Sequence, residues 1–208
     1  MKIVKNVLYG LVALIVLLTA VGLVALPRVT KVERSLVIQA PADVIFDQVN
    51  DLKKNEAWSP WKDPEMTLTY GAITVGKGAT STWASKKMGN GTMTISESVP
   101  ASSIDVDLDF GSMGGAKAVW TFVSSAEGVK VTETMTSDAG MNPMKRWMGL
   151  MTEKMVGPYY ERGLASLKQV SETRAAELKT EQASQQAVAT PAEDAAAPGA
   201  APAAAPKR

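Results

Sequence analysis

Neither cysteine nor histidine occurs anywhere in the 208 residues. Their absence excludes thiolate nucleophiles, disulfides, Cys/His zinc sites and imidazole acid–base chemistry. Any catalysis must rest on carboxylates, Lys, Arg, Tyr or Ser. Charge excess is also missing: 22 Lys and Arg stand against 21 Asp and Glu, so no basic surplus argues for nucleic acid. Without disulfides to report a compartment, location has to be read from targeting segments. No cofactor or metal is indicated. Gly76-x-Gly78 and Gly111-x-x-Gly114-Gly115 do not join a strand to a helix N-terminus, as a phosphate loop would, and read as hairpin turns.

A long apolar run is present. After Lys2 and Lys5, residues 7–26 (VLYGLVALIVLLTAVGLVAL) carry no charge. At about 1.5 Å per residue a helix of this length crosses a hydrocarbon core of about 30 Å. A secretory signal peptide is the rival reading, but its apolar region is usually about 7–15 residues and ends at a small-x-small site. Here AVG (20–22) lies inside the run, so residues 1–28 read as an uncleaved anchor. A short lysine-bearing N-terminus stays cytoplasmic, which places the following domain outside, on the periplasmic face of a bacterium. At the other end, residues 174–208 are mostly Ala, Pro, Gln and Glu. Residues 174–188 extend a helix in this reading, and the chain beyond Thr190 is a disordered tail, because it has too little apolar surface to offset its ordering entropy.

Between these lies one domain, 29–173. It opens with an alternating strand, VERSLVI (32–38), followed by a helix that starts near Pro41 with Val44, Ile45, Val49 and Leu52 on one face. Six short strands follow, at 66–70, 79–85, 92–99, 103–110, 117–123 and 129–136, separated by Gly, Pro and Asn turns. In SIDVDLDF, Ile104, Val106, Leu108 and Phe110 alternate with Ser103 and three aspartates, so one face is buried. The last element, about 143–172, is a long helix and alone is large enough to cover that face. The expected class is α+β: a curved antiparallel sheet of about seven strands wrapped on a long C-terminal helix.

Three stretches carry a resemblance to a known family. They are IQAPADVIFDQVNDLKKNEAWSPW (38–61), GKGATSTWAS (76–85) with the strands after it, and YYERGLASLKQVSE (159–172). The chain resembles the START/pollen-allergen superfamily, also called SRPBCC or polyketide cyclase/dehydrase-like, over about 32–172. The resemblance implies the helix-grip fold, with a hydrophobic-ligand cavity between sheet and final helix. It says little about activity, because one fold hosts many functions. It also implies that the first and last strands are neighbours, which brings Arg34 within reach of Glu133.

Several residues are candidates for such a site. Trp58 and Trp61 read as a plug over one end of the core, or as a pocket rim that gates entry. Trp83, Met93 and Trp120 read as core or pocket wall. Three charged residues break the strand pattern: Glu97 is in phase with Met93, Ile95 and Val99, Glu133 with Val131 and Met135, and Arg34 with Val32 and Leu36. If they point inward they must pair or anchor something polar, since an unpaired buried charge is costly. If the strand ends twist outward, all three are solvated. A Glu97/Glu133 acid–base pair is the best enzymatic hypothesis, because no histidine competes with it.

Met141, Met144, Met148, Met151 and Met155 recur at steps of three and four, with Trp147 beside them. Thioethers suit Cu(I), but neither His nor Cys is available to help. A membrane-facing surface is a further reading beside an anchored domain, but Lys145, Arg146, Glu153 and Lys154 mark the opposite face as the wet one, so the expectation is an inward methionine face. It would be core or, because methionine is adaptable, pocket wall. Pro158 then interrupts the helix. Three functions follow in order. The first is a membrane-anchored binding domain for a hydrophobic small molecule or lipid. The second is a carboxylate-dependent cyclase, dehydratase or hydrolase-like enzyme using Glu97 and Glu133. The third is a structural or interaction module whose cavity is filled by its own side chains.

Overall fold

The computed structural model describes residues 2–189, with side chains through 186. The expected tail beyond Thr190 lies outside them. Helix α1, Lys2–Val24, is long and apolar enough to cross a membrane. Strand β1, Val29–Ile38, leads to two short helices, α2, Ala42–Asn50, and α3, Asn55–Trp58. A meander follows: β2, Thr67–Tyr70; β3, Thr80–Ser85; β4, Gly89–Val99; β5, Ser103–Asp109; β6, Gly115–Ser125; and β7, Gly128–Asp138. Helix α4, Pro143–Ala189, closes the fold.

All seven strands form one antiparallel sheet in the order β1-β7-β6-β5-β4-β3-β2. This is the expected helix-grip architecture. Each consecutive pair from β2 to β7 is a hairpin, and β1 is added beside β7, with Arg34 directly opposite Glu133. The cross-strand register arranges the inner face in rows. Ile95, Val106, Ala118, Met135 and Val32 form one row, and Ile104, Trp120, Glu133 and Arg34 form the next. α4 covers these rows with Tyr160, Leu164 and Leu167, all buried. Phe46 of α2 packs edge-on against Phe122 at 5.6 Å, so α2 closes one end of the core. Burial of side chains of this size contributes about 1.5–3 kcal/mol each.

Helix α4 starts with Asn142, whose Oδ1 accepts the Lys145 backbone N–H at 3.1 Å. The helix runs continuously through Pro158 rather than stopping there. The folded body ends at Ala175. Beyond it the chain is helical through Ala189, with Thr180 and Ser184 hydroxyls bonded to carbonyls four residues back.

Candidate functional site

Glu133 stands at the centre of the inner face and is 8% exposed. Its cross-strand neighbours are Trp120 and Arg34, and Tyr160 faces it from α4. Burial pushes its carboxyl well above the ordinary carboxylate range; the hydrogen bond with the Tyr160 hydroxyl opposes that shift. The same burial, with Glu133 beside it, raises the Tyr160 phenol. Both shifts favour the protonated form of a carboxyl next to a phenol, and Tyr160 packs with Val32, Ala116, Met135 and Val156.

Arg34 does not pair with Glu133, although the strands are neighbours as expected. Its Nε donates to Glu161 at 2.7 Å and its Nη2 to Glu153 at 2.5 Å, both on α4. Gly157 lies between those two glutamates in sequence, and a Cβ there would collide with the guanidinium. The bare glycine lets Arg34 lie flat across the helix and clamp it to β1.

Glu97 is not at this site. The ladder between β4 and β5 shifts between Ile95 and Glu97, so Ser96 is an extra residue and the alternation reverses. Ile95 still points inward, but Glu97 is exposed and bridges Lys77 at 2.7 Å. That partner holds its carboxyl below the usual range. The two glutamates of the expected acid–base pair thus stand on opposite faces of the sheet. A period-2 reading does not reveal the bulge, because the shift shows only in the pairing with β5.

The tryptophans divide into separate groups. Trp58 is buried, donates its indole N–H to the Gln48 carbonyl at 3.0 Å, and meets Trp120 edge-on at 5.6 Å. These two belong to the core. Trp61 lies outside and stacks on Tyr159 at 4.3 Å, with the Arg162 guanidinium 4.4 Å from the same ring. Trp83 is half-buried on the inner face, edge-on to Phe110 at 5.9 Å and over Gly91, where a side chain would not fit. Met93 and Leu108 are paired neighbours on this face and are also only partly covered. The inner face is thus sealed around Trp58 and Trp120 and less covered around Trp83, Met93, Leu108 and Phe110.

The methionine face is turned the opposite way from the expectation. Met144, Met148, Met151 and Met155 are 56–68% exposed, and Met141 more so. Of the charged residues expected on the wet face, Arg146 turns inward, while Glu153 stays exposed and is engaged by Arg34. Arg146 is buried: its Nε and Nη2 donate to the Gly140 carbonyl at 3.0 and 2.8 Å, and Nη1 donates to Leu23 at 2.5 Å. Glu153 is held by Arg34. Charge marked the wet face wrongly, because each of these two has a dedicated partner. Trp147, beside the stripe, donates its indole N–H to the Leu18 carbonyl of α1 at 3.1 Å. Among the described residues no group of three or more acidic side chains is placed to hold a metal ion.

Comparison with known proteins agrees with this architecture. The chain is 26% identical over 156 residues to the ribosome association toxin RatA of Pseudomonas aeruginosa, spanning 72% of this chain and 97% of the relative. Its fold matches the di-domain ARO/CYC StfQ from the steffimycin biosynthetic pathway. That match has TM-score 0.54 and 14% identity, over 71% of this chain and 52% of StfQ. It also matches SA2116 of Staphylococcus aureus, a protein of unknown function, with TM-score 0.56 and 9% identity over 70% and 95% of the two chains. These structural likenesses establish the fold alone. A family model described as polyketide cyclase / dehydrase and lipid transport matches residues 29–172, from β1 well into α4, and the chain belongs to that family.

Proposed function

We propose that this protein is a membrane-anchored binding domain for a hydrophobic small molecule or lipid, held between the sheet and α4. The observation that carries the reading is Glu133: a buried carboxyl, its pKa raised by desolvation, beside Tyr160 on a largely apolar part of the inner face. One polar anchor under an apolar ceiling suits a ligand that is mostly hydrocarbon with a single oxygen function. Two further features support it. Short side chains, Ala116 and Ala118, lie on the inner face of β6 beneath α4 and take up little of the space between sheet and helix. The partly covered Trp83, Met93, Leu108 and Phe110 form the side from which a ligand would enter. In this reading α1 spans the bilayer and the domain lies on the extracytoplasmic side. The ribosome association in the Pseudomonas relative's name is not carried over, because the charge here is balanced.

Native mass spectrometry of the full chain released from detergent tests this. The expected result is a bound small molecule of defined mass that is weakened by Glu133→Ala and untouched by Glu97→Gln. Unliganded masses alone, after purification from membranes of the native host, overturn it.

A second reading has its own support. A carboxyl whose pKa is raised by burial can act as a general acid, here with Tyr160 alongside, as a cyclase or dehydratase requires. Glu133→Gln separates the two readings: turnover of an added polyketide-like substrate would vanish while ligand retention persists. In this version the acid works with Tyr160 and not with Glu97.

A further inference from the structure

The exposed methionine stripe has no partner in the domain, yet it begins where α1 ends. Trp147 and Pro143 lie against Gly22, where a Cβ would stand 3.0 Å from the indole nitrogen and 3.1 Å from the proline Cβ. Trp147 also bonds the Leu18 carbonyl, and Arg146 covers the carbonyls of Leu23 and Leu26, the last turn and exit of α1. A cation on the C-terminal carbonyls of a helix complements its dipole, so this joint is both packed and electrostatically favoured. The first turns of α4 are therefore fixed to the end of α1, and a span and its exit set their depth.

We propose that the face formed by Met144, Met148, Met151 and Met155 of α4, with Met141 in the turn just before it, lies in the bilayer interface. The domain would thus rest on the membrane in one orientation instead of hanging from a free tether. This rests on the reading of α1 as a membrane span. At about 100° per residue the five methionines fall within one narrow stripe, with Lys145 on one border and Lys154 on the other. Apolar side chains bounded by lysines are the pattern of a helix lying flat in the headgroup region, its apolar side sunk about 5–10 Å and its lysines reaching up to phosphates. From Met144 to Met155 the stripe extends about 17 Å along α4 by helical rise, and flexible thioethers suit a fluid surface. Continuity with α1 selects lipid over a protein partner.

The absence of cysteine makes the test direct, since any introduced cysteine is the only one. Full-length Met148→Cys, Met151→Cys, Leu14→Cys and Lys130→Cys carry an environment-sensitive fluorophore in vesicles of phosphatidylethanolamine and phosphatidylglycerol. Doxyl groups at shallow or deep acyl positions, and iodide in the water, serve as quenchers. The expected result is deep-doxyl quenching at position 14, shallow-doxyl quenching with a blue shift at 148 and 151, and iodide quenching alone at 130. Deep quenching at 14 with iodide quenching at 148 and 151 overturns the docking face and leaves the span intact. Iodide quenching at 14 overturns the span itself. Protection of 148 and 151 from both quenchers, with disulfide-linked dimers forming between unlabelled copies, assigns the stripe to a second copy of the chain and also overturns the proposal.

Discussion

Glu133 and Glu97 are the same residue type in neighbouring strand patterns, and their surroundings give them opposite chemistry. Glu133 holds its proton more tightly in the folded chain than in the unfolded one, where its pKa is near 4.5. Stability therefore falls as pH rises above about 4.5 toward the raised value, because the unfolded state releases a proton that the folded state keeps. Glu133→Gln keeps the shape and the bond to Tyr160 without that equilibrium. Its Tm should exceed that of the wild type at about pH 8, with the difference closing near pH 4; a difference independent of pH would show that Glu133 is not buried as an acid. Tyr160→Phe leaves the carboxyl without its partner and should cost about 1–3 kcal/mol in chemical denaturation. Glu97→Gln should stay within about 0.5 kcal/mol, since it loses one exposed pair. The inward phase of Glu133 was legible from alternation alone. That of Glu97 was not, since the bulge at Ser96 depends on pairing with β5.

Gly157 and Arg34 join two elements, and the joint makes a sign prediction. An alanine in the middle of a helix ordinarily gains about 0.5–1 kcal/mol over glycine. At position 157 the new methyl displaces the Arg34 guanidinium from its position between Glu153 and Glu161. Gly157→Ala alone should thus gain nothing or lose stability. In the Arg34→Ala background, where the clash is gone, the same change should gain the ordinary amount. A double-mutant cycle by urea unfolding checks this; equal effects in both backgrounds would mean that the guanidinium does not use the glycine's space. The elements themselves were readable: strand positions came from period-2 alternation and turn residues, and the long helix from its amphipathic second half. What Pro158 does was not. Its ring costs one backbone bond, but packing on both sides keeps the helix continuous.

For the whole molecule, α1 and the start of α4 act as one unit. The full chain should remain in the membrane pellet after alkaline carbonate extraction, because about twenty apolar residues are involved; release into the supernatant would contradict a span. Gly22→Leu should loosen the joint without extracting the protein, since the added side chain would meet the Trp147 ring. Spin labels at two introduced cysteines, one on α1 and one on β7, should then show a broader distance distribution than in the unaltered glycine background. An unchanged distribution would mean that Gly22 does not hold the two helices together.

Composition and periodicity alone determined the chemistry excluded, the apolar run, the run of short strands and the covering helix, and three stretches of resembling sequence pointed to the family. These depend on local patterns that survive any detail of packing. Only the tertiary structure decided which way the charged and methionine faces turn. Arg146 is tolerated inside because the Gly140 and Leu23 carbonyls are waiting for it, and Glu153 turns toward β1 because Arg34 meets it there. Leu23 and Arg34 lie far away in sequence, so no local pattern announces them. With Arg146 satisfied inward and Glu153 held at the surface by Arg34, the methionines face out, beside the end of α1.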